Sequence, residues 1–246
     1  MSIRNKVTIA LIILVAALSA TAQAPAEPEV KEIPLTNARI NFDETTYDFG
    51  SIAKGSMVTH NYWFTNAGSD TLVVTKITPT CGCTTTRQAG FTVPPSEGAS
   101  IDIVFDSGKF NGRVTKSIKV ETNDSLNPYL ELRFKAVINN PLQILEYSPL
   151  KVDFENTPPG TQRQFSIMLT NVDTTESEVV IVEKPDDQFI QTQVMKSKLG
   201  PDDSTELVFT LSKGLEPGPF ITSVSIETKD KPNSRITIPI SGSITP

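Results

Sequence analysis

From Ile40 onward the chain alternates apolar and polar residues with a period of two. Val58, His60, Tyr62 and Phe64 share one face of the run 58–65, and Ile101, Ile103 and Phe105 repeat the pattern further on. Leu130, Leu132, Phe134, Ala136 and Ile138 alternate with Glu131, Arg133 and Lys135. Successive side chains of an extended strand point to opposite faces, so these runs predict half-buried antiparallel strands. Turn residues punctuate them, as in Asn66-Ala67-Gly68-Ser69 ahead of a strand over 71–77. No amphipathic helical pattern of useful length follows residue 23.

The strand pattern also recurs at a fixed interval. Phe49, Gly55 and Asn66 reappear as Phe154, Gly160 and Asn171, each 105 positions later. The face His60-Tyr62-Phe64 corresponds to Phe165-Ile167-Leu169, Val104-Phe105 to Val208-Phe209, and Glu121-Thr122 to Glu227-Thr228. Ile236, Ile238 and Ile240 close the second half as Leu130, Leu132 and Phe134 close the first. A module of this length with about seven short strands fits a β-sandwich. The expectation is an all-β chain of two tandem sandwich domains, 39–140 and 141–246, meeting near Asn139-Asn140-Pro141.

The first residues break the pattern. Arg4 and Lys6 precede an apolar run over 7–18, and Ala20-Thr21-Ala22 offers an A-x-A site with cleavage between Ala22 and Gln23. Cations, a short apolar run and small residues in this order predict a secretory signal peptide over 1–22. The apolar run is shorter than the ~18–20 residues that a spanning helix needs, so no stable membrane span is expected after cleavage. Residues 23–38, rich in Pro, Glu and Ala, read as an extended linker. Export to the periplasm or the exterior of a bacterium follows.

Loss of residues 1–22 leaves 20 Lys and Arg against 28 Asp and Glu, a formal charge of −8. An acidic surface without a basic stripe argues against nucleic acid, whose phosphates need cations to displace counterions. One His and no Gly-x-Ser-x-Gly leave the usual serine hydrolase unsupported, and no Gly-rich phosphate loop occurs.

Cys81-Gly82-Cys83-Thr84 is the sharpest local feature, and it holds both cysteines of the chain. In an oxidising compartment the pair can form a disulfide, because Gly82 permits the bend that brings positions i and i+2 together. Closing so short a ring removes little unfolded-chain entropy. Three readings stand side by side. They are a structural loop at the sandwich edge, a pair exchanging electrons with a partner, and a soft-metal site for an ion such as Cu(I). His60 could join Cys81 and Cys83 as a third ligand. Its alternation with Tyr62 and Phe64, and its replacement by Phe165, favour a packed, hydrogen-bonded histidine instead. Asp186-Asp187 and Asp202-Asp203 read as solvated loops, and Trp63 falls on the face opposite Tyr62 and Phe64.

One family resemblance rests on Asp48-Phe49-Gly50, Gly55, His60, Phe64-Thr65-Asn66, Gly68, Leu72, Cys81-Gly82-Cys83-Thr84, Pro95, Phe105, Gly112 and Thr122-Asn123. In this order they resemble a bacterial family of exported proteins of unknown function, itself similar to Hydin-type immunoglobulin-like modules. The resemblance implies an immunoglobulin-like fold and export, and supplies no activity. The second half departs from it, with Pro185-Asp186-Asp187 where the cysteines would fall. The expected function is a non-catalytic exported binding or scaffolding protein of the bacterial cell envelope, without a cofactor, whose partner is an envelope or extracellular protein. The alternative is a thiol redox or copper-handling protein acting through Cys81 and Cys83.

Overall fold

Strands occupy the alternating runs throughout a computed structural model that describes residues 35–246, apart from positions 87, 141, 142 and 230. The signal peptide with its Ala22-Gln23 cleavage site, and most of the linker, lie outside the described residues. The first half holds β1 (Ile40–Phe42), β2 (Thr46–Ile52), β3 (Met57–Asn66), β4 (Leu72–Pro79), β5 (Thr84–Thr86), β6 (Phe91–Val93), β7 (Gly98–Asp106), β8 (Gly112–Thr122) and β9 (Tyr129–Ile138). The second holds β10 (Leu145–Ser148), β11 (Val152–Thr157), β12 (Arg163–Asn171), β13 (Ser177–Glu183), β14 (Ile190–Val194), β15 (Lys198–Leu199), β16 (Ser204–Leu211), β17 (Gly218–Thr228) and β18 (Ile236–Ile244). The protein is all-β, with no helix among the described residues.

Alternation decides what is buried. In β3 the side chains of Val58, His60, Tyr62 and Phe64 face inward while Met57, Asn61, Trp63 and Thr65 are exposed. In β9 Leu132, Phe134, Ala136 and Ile138 are buried and Glu131, Arg133 and Lys135 are not. The buried apolar side chains gather in two clusters, one drawn from residues 38–138 and the other from 145–244. Each lies between a four-stranded sheet of its own half, ordered β1-β3-β7-β5 or β10-β12-β16-β14, and one sheet that serves both halves.

That shared sheet has ten strands, ordered β15-β13-β17-β18-β2-β9-β8-β4-β6, with β11 also beside β18. The expected tandem halves are joined in the sheet itself, where Ile236 of β18 pairs with Ser51 of β2 and carries it across the junction. The pairs β2–β9, β11–β18 and β2–β18 are parallel. The antiparallel expectation fails there because β2 and β11 each cross to the opposite sheet from β1 and β10, and so enter it alongside a strand of the same direction.

The linker also ends sooner than its composition suggests. Thr36 N–H donates to Ser125 Oγ (2.7 Å), its hydroxyl donates to Asn123 O (2.6 Å), and Asn37 N–H donates to Asp70 Oδ2 (2.8 Å). Ala38 is fully buried. Gly68 makes this docking possible, since a Cβ there would lie 2.0 Å from Asn37 O. Hydrogen bonds between backbone and side chains, to which hydropathy is blind, bring residues 36–38 into the fold.

Candidate functional site

The side of the first half bounded by β2 and the open edge of β3 is covered by the hairpin β17–β18. Ser51 N–H donates to Arg235 O (2.7 Å) and the Thr237 hydroxyl to Phe49 O (2.6 Å). Thr59 N–H donates to Ser223 Oγ (3.0 Å), and that hydroxyl donates back to Thr59 O (3.0 Å). Tyr47 O–H donates to Ser225 Oγ (2.8 Å). Burial, and then the nearby Glu183 carboxylate, push the Tyr47 phenol well above its ordinary range, so it stays a donor. Gly50 sits at φ +66°, and a Cβ on it would come 2.1 Å from Arg235 O. Glycine is required on both counts.

His60 packs inside this junction, 3% exposed. Its ring stacks on Tyr47 (centroids 3.6 Å apart) and meets Tyr62 edge-on. Nδ1 lies 3.0 Å from both carboxylate oxygens of Glu183, which can only accept, so Nδ1 carries a proton. Nε2 is 3.4 Å from Glu44 Oε1, within ion-pair reach but without hydrogen-bond geometry. Glu183 belongs to β13 of the second half and Glu44 to the turn before β2. His60 thus joins the two halves.

Cys81 and Cys83 form a disulfide with a Cα–Cα separation of 5.3 Å, in the loop between β4 and edge strand β5. Both are half-buried, and Cys83 packs against the first core. The loop is pinned by hydrogen bonds from Asp106 N–H to Cys83 O (2.9 Å) and from Thr84 N–H to Cys81 O (3.3 Å). Behind it the Thr84 hydroxyl lies 3.7 Å from Cys81 Sγ and 3.9 Å from Cys83 Sγ.

The third-ligand arrangement of Cys81, Cys83 and His60 does not form. β7 separates the strands: His60 pairs with Ile103 on one side, and Thr84 pairs with Phe105 on the other. Two strand spacings, about 10 Å, therefore intervene. The imidazole is also committed to Glu183, and the sulfurs to each other. Among the described residues no group of three or more His, Cys, Asp or Glu could hold a metal ion.

Trp63 is 54% exposed on the outer face of the β1-β3-β7-β5 sheet, so it packs across neither sandwich. An open groove of about 230 Å³ runs between the halves, lined by Thr59, Asn61, Asp102, Pro185, Asp186 and Phe189 among others, and Asn61 shares the exposed face of β3 with Trp63. The loop carrying Pro185-Asp186-Asp187 leads from β13 to β14 as the cysteine loop leads from β4 to β5. Asp187 pairs with Lys184 (2.6 Å) and Asp203 with Lys196 (2.7 Å), as exposed loop ion pairs.

Sequence reading missed Glu183, Glu44 and the hydroxyl ladder Ser223, Ser225 and Thr237, and it held Gly50 only as a motif residue, without its place at the junction. One signal was present. Across the repeat, Ser225 and Thr237 stand where the first half has the exposed ions Lys119 and Glu131. Exchange of charge for small hydroxyls marks a face that has been covered.

These features define a β-sandwich protein whose two cores share a sheet. Residues 40–138, spanning β1 to β9, match the family described as "Protein of unknown function (DUF1573)". No curated protein matches the chain in sequence. Similar solved structures include a protein of unknown function from Porphyromonas gingivalis W83, at 12% identity over 83% of this chain and 99% of that one, with a TM-score of 0.35. The CupB2 chaperone of Pseudomonas aeruginosa matches at 11% identity over 81% and 98%, with a TM-score of 0.31. The PapD-like domain 7 of human CEP192 matches at 10% identity over 47% and 96%, with a TM-score of 0.36. Among the described residues no helix is long and apolar enough to cross a membrane.

Proposed function

We propose that this chain is a non-catalytic binding or scaffolding protein, exported to the bacterial cell envelope, whose partner is another envelope or extracellular protein. The observation that carries the reading is the exposed Trp63 on the outer face of β3, the face from which Asn61 lines the groove between the halves. Aromatic side chains with one open face are the usual anchors of protein interfaces. The shared sheet supports it further, because the hydroxyl ladder at the junction holds the loop 184–189 of one half beside Thr59 and Asn61 of the other. Binding therefore costs little ordering of the two halves. The ordered signal at the N-terminus supports export.

The test is crosslinking in the native envelope followed by recovery and identification of what is captured. Trp63→Ala, checked for an unchanged circular dichroism spectrum, is expected to lower capture of the specific partner at least tenfold. Equal capture by the folded variant would remove Trp63 and its face from the binding surface.

A further inference from the structure

The cysteine loop between β4 and β5 has no role in the junction or in the binding surface around Trp63. Three observations separate this disulfide from a purely structural staple. The second half builds the equivalent connection from β13 to β14 without one, holding it by bonds from the N–H groups of Phe189 and Ile190 to Asp186 O. The ring spans two positions, so it restrains the unfolded chain less than a long loop would. Finally, Thr84 is buried, at 3% exposed, and among the described residues the hydrogen-bond partners of its hydroxyl are the two sulfurs. A disulfide sulfur carries no proton, so the hydroxyl is the donor in both contacts. Such a donor gains most when the acceptor is a thiolate, because hydrogen bonds to charged groups are the strong ones.

We propose that Cys81–Cys83 is a reactive disulfide that accepts two electrons from a protein dithiol, with Thr84 as the positioning residue that stabilises the thiolate released. A thiolate of the partner attacks Cys81 Sγ, because Cys83 is the sulfur packed against the core. A partner–Cys81 bond forms, the Cys81–Cys83 bond breaks, and the electron pair leaves on Cys83 Sγ, which accepts the Thr84 hydrogen bond. The partner's second thiolate then attacks its own sulfur in the mixed disulfide. That forms the partner's disulfide and releases Cys81 as a thiolate, 3.7 Å from the same hydroxyl. The two protons lost by the dithiol end on Cys81 and Cys83. The exchange is stoichiometric and is independent of the binding surface around Trp63.

The full chain is titrated with dithiothreitol without denaturant and quenched with iodoacetamide. Intact mass counts the alkylated cysteines, while Trp63 fluorescence reports that the fold persists. Two alkylated cysteines are expected in the folded protein. Thr84→Val should slow reduction about tenfold, and the alkylation midpoint of the reduced protein should move up by about one pH unit. Thr84→Ser, which restores the hydroxyl, should return both to within about twofold of the parent. Thr84→Ala replaces the Val variant if that fails to fold. A bond that is reduced only after denaturation would overturn the proposal. So would equal rates and equal alkylation profiles for the Ser variant and the variants lacking a hydroxyl.

Discussion

Asn66 and Asn171 show how one side chain can organise a sandwich. Each is fully buried, and each amide donates to backbone carbonyls of two other segments. Asn66 donates to Asp70 O (2.9 Å) and Val93 O (3.0 Å), and Asn171 to Thr175 O (2.9 Å) and Leu199 O (3.0 Å). Their Oδ1 atoms accept from Gly68 N–H and Asp173 N–H. Asn171→Ala is expected to strand these buried carbonyls and to cost about 2–4 kcal/mol, read as a lower urea midpoint at unchanged slope. Asp124 behaves similarly. Burial pulls its pKa up, but the N–H groups of Leu126, Ile40 and Asn127 outweigh that and hold its carboxyl below the usual value. A depressed folded pKa stabilises above the unfolded value and loses that stability as pH falls through the folded one. Urea titrations should therefore show stability declining below about pH 4, with Asp124→Asn less stable at neutral pH and flatter across that acid range.

At the scale of the element, the hairpin β17–β18 is buried on both faces. Ser223 through Ile226 and Ile236 through Ile240 are all buried, where a one-sided strand would alternate. The second half protects its own equivalent rim by other means. Glu155 replaces Gly50, and Arg163, in place of Val58, donates to Phe154 O (2.7 Å), the carbonyl equivalent to the one that Thr237 satisfies on Phe49. A bulky charged residue on an edge is a common device against further strand pairing. Two changes test the junction. Gly50→Ala should cost at least ~2 kcal/mol, because positive φ and backbone contact both penalise a Cβ. Thr237→Glu, which installs the counterpart Glu131 in a buried position, should cost about 3–5 kcal/mol. For either, a urea midpoint matching the parent's would mean that the hairpin is not the main contact.

For the whole molecule, the shared sheet couples two cores that could otherwise melt separately. Trp63 reports on the first half alone, whereas circular dichroism reports on both. The two signals are expected to give coincident urea transitions in the parent and to separate in Thr237→Glu. Transitions that are already separate in the parent would mean that the junction contributes little to stability.

Period-two alternation made the strands legible, and the 105-residue self-similarity made both cores legible, because burial on one face of a strand is written locally. Cys81 and Cys83 stood out through their rarity, and His60 read as packed because it took the place of Phe165. The junction was beyond that reading. His60 and Glu183 are 123 positions apart, and Tyr47 and Ser225 are 178 apart. Whether two modules hang loose or share a sheet depends on how their edges meet in space, which no local pattern records. Alternation in the sequence determined which residues are strands and which are core. The tertiary structure alone decided that β18 would add to β2, that Gly50 would have to be glycine, and that a buried hydroxyl would face both sulfurs.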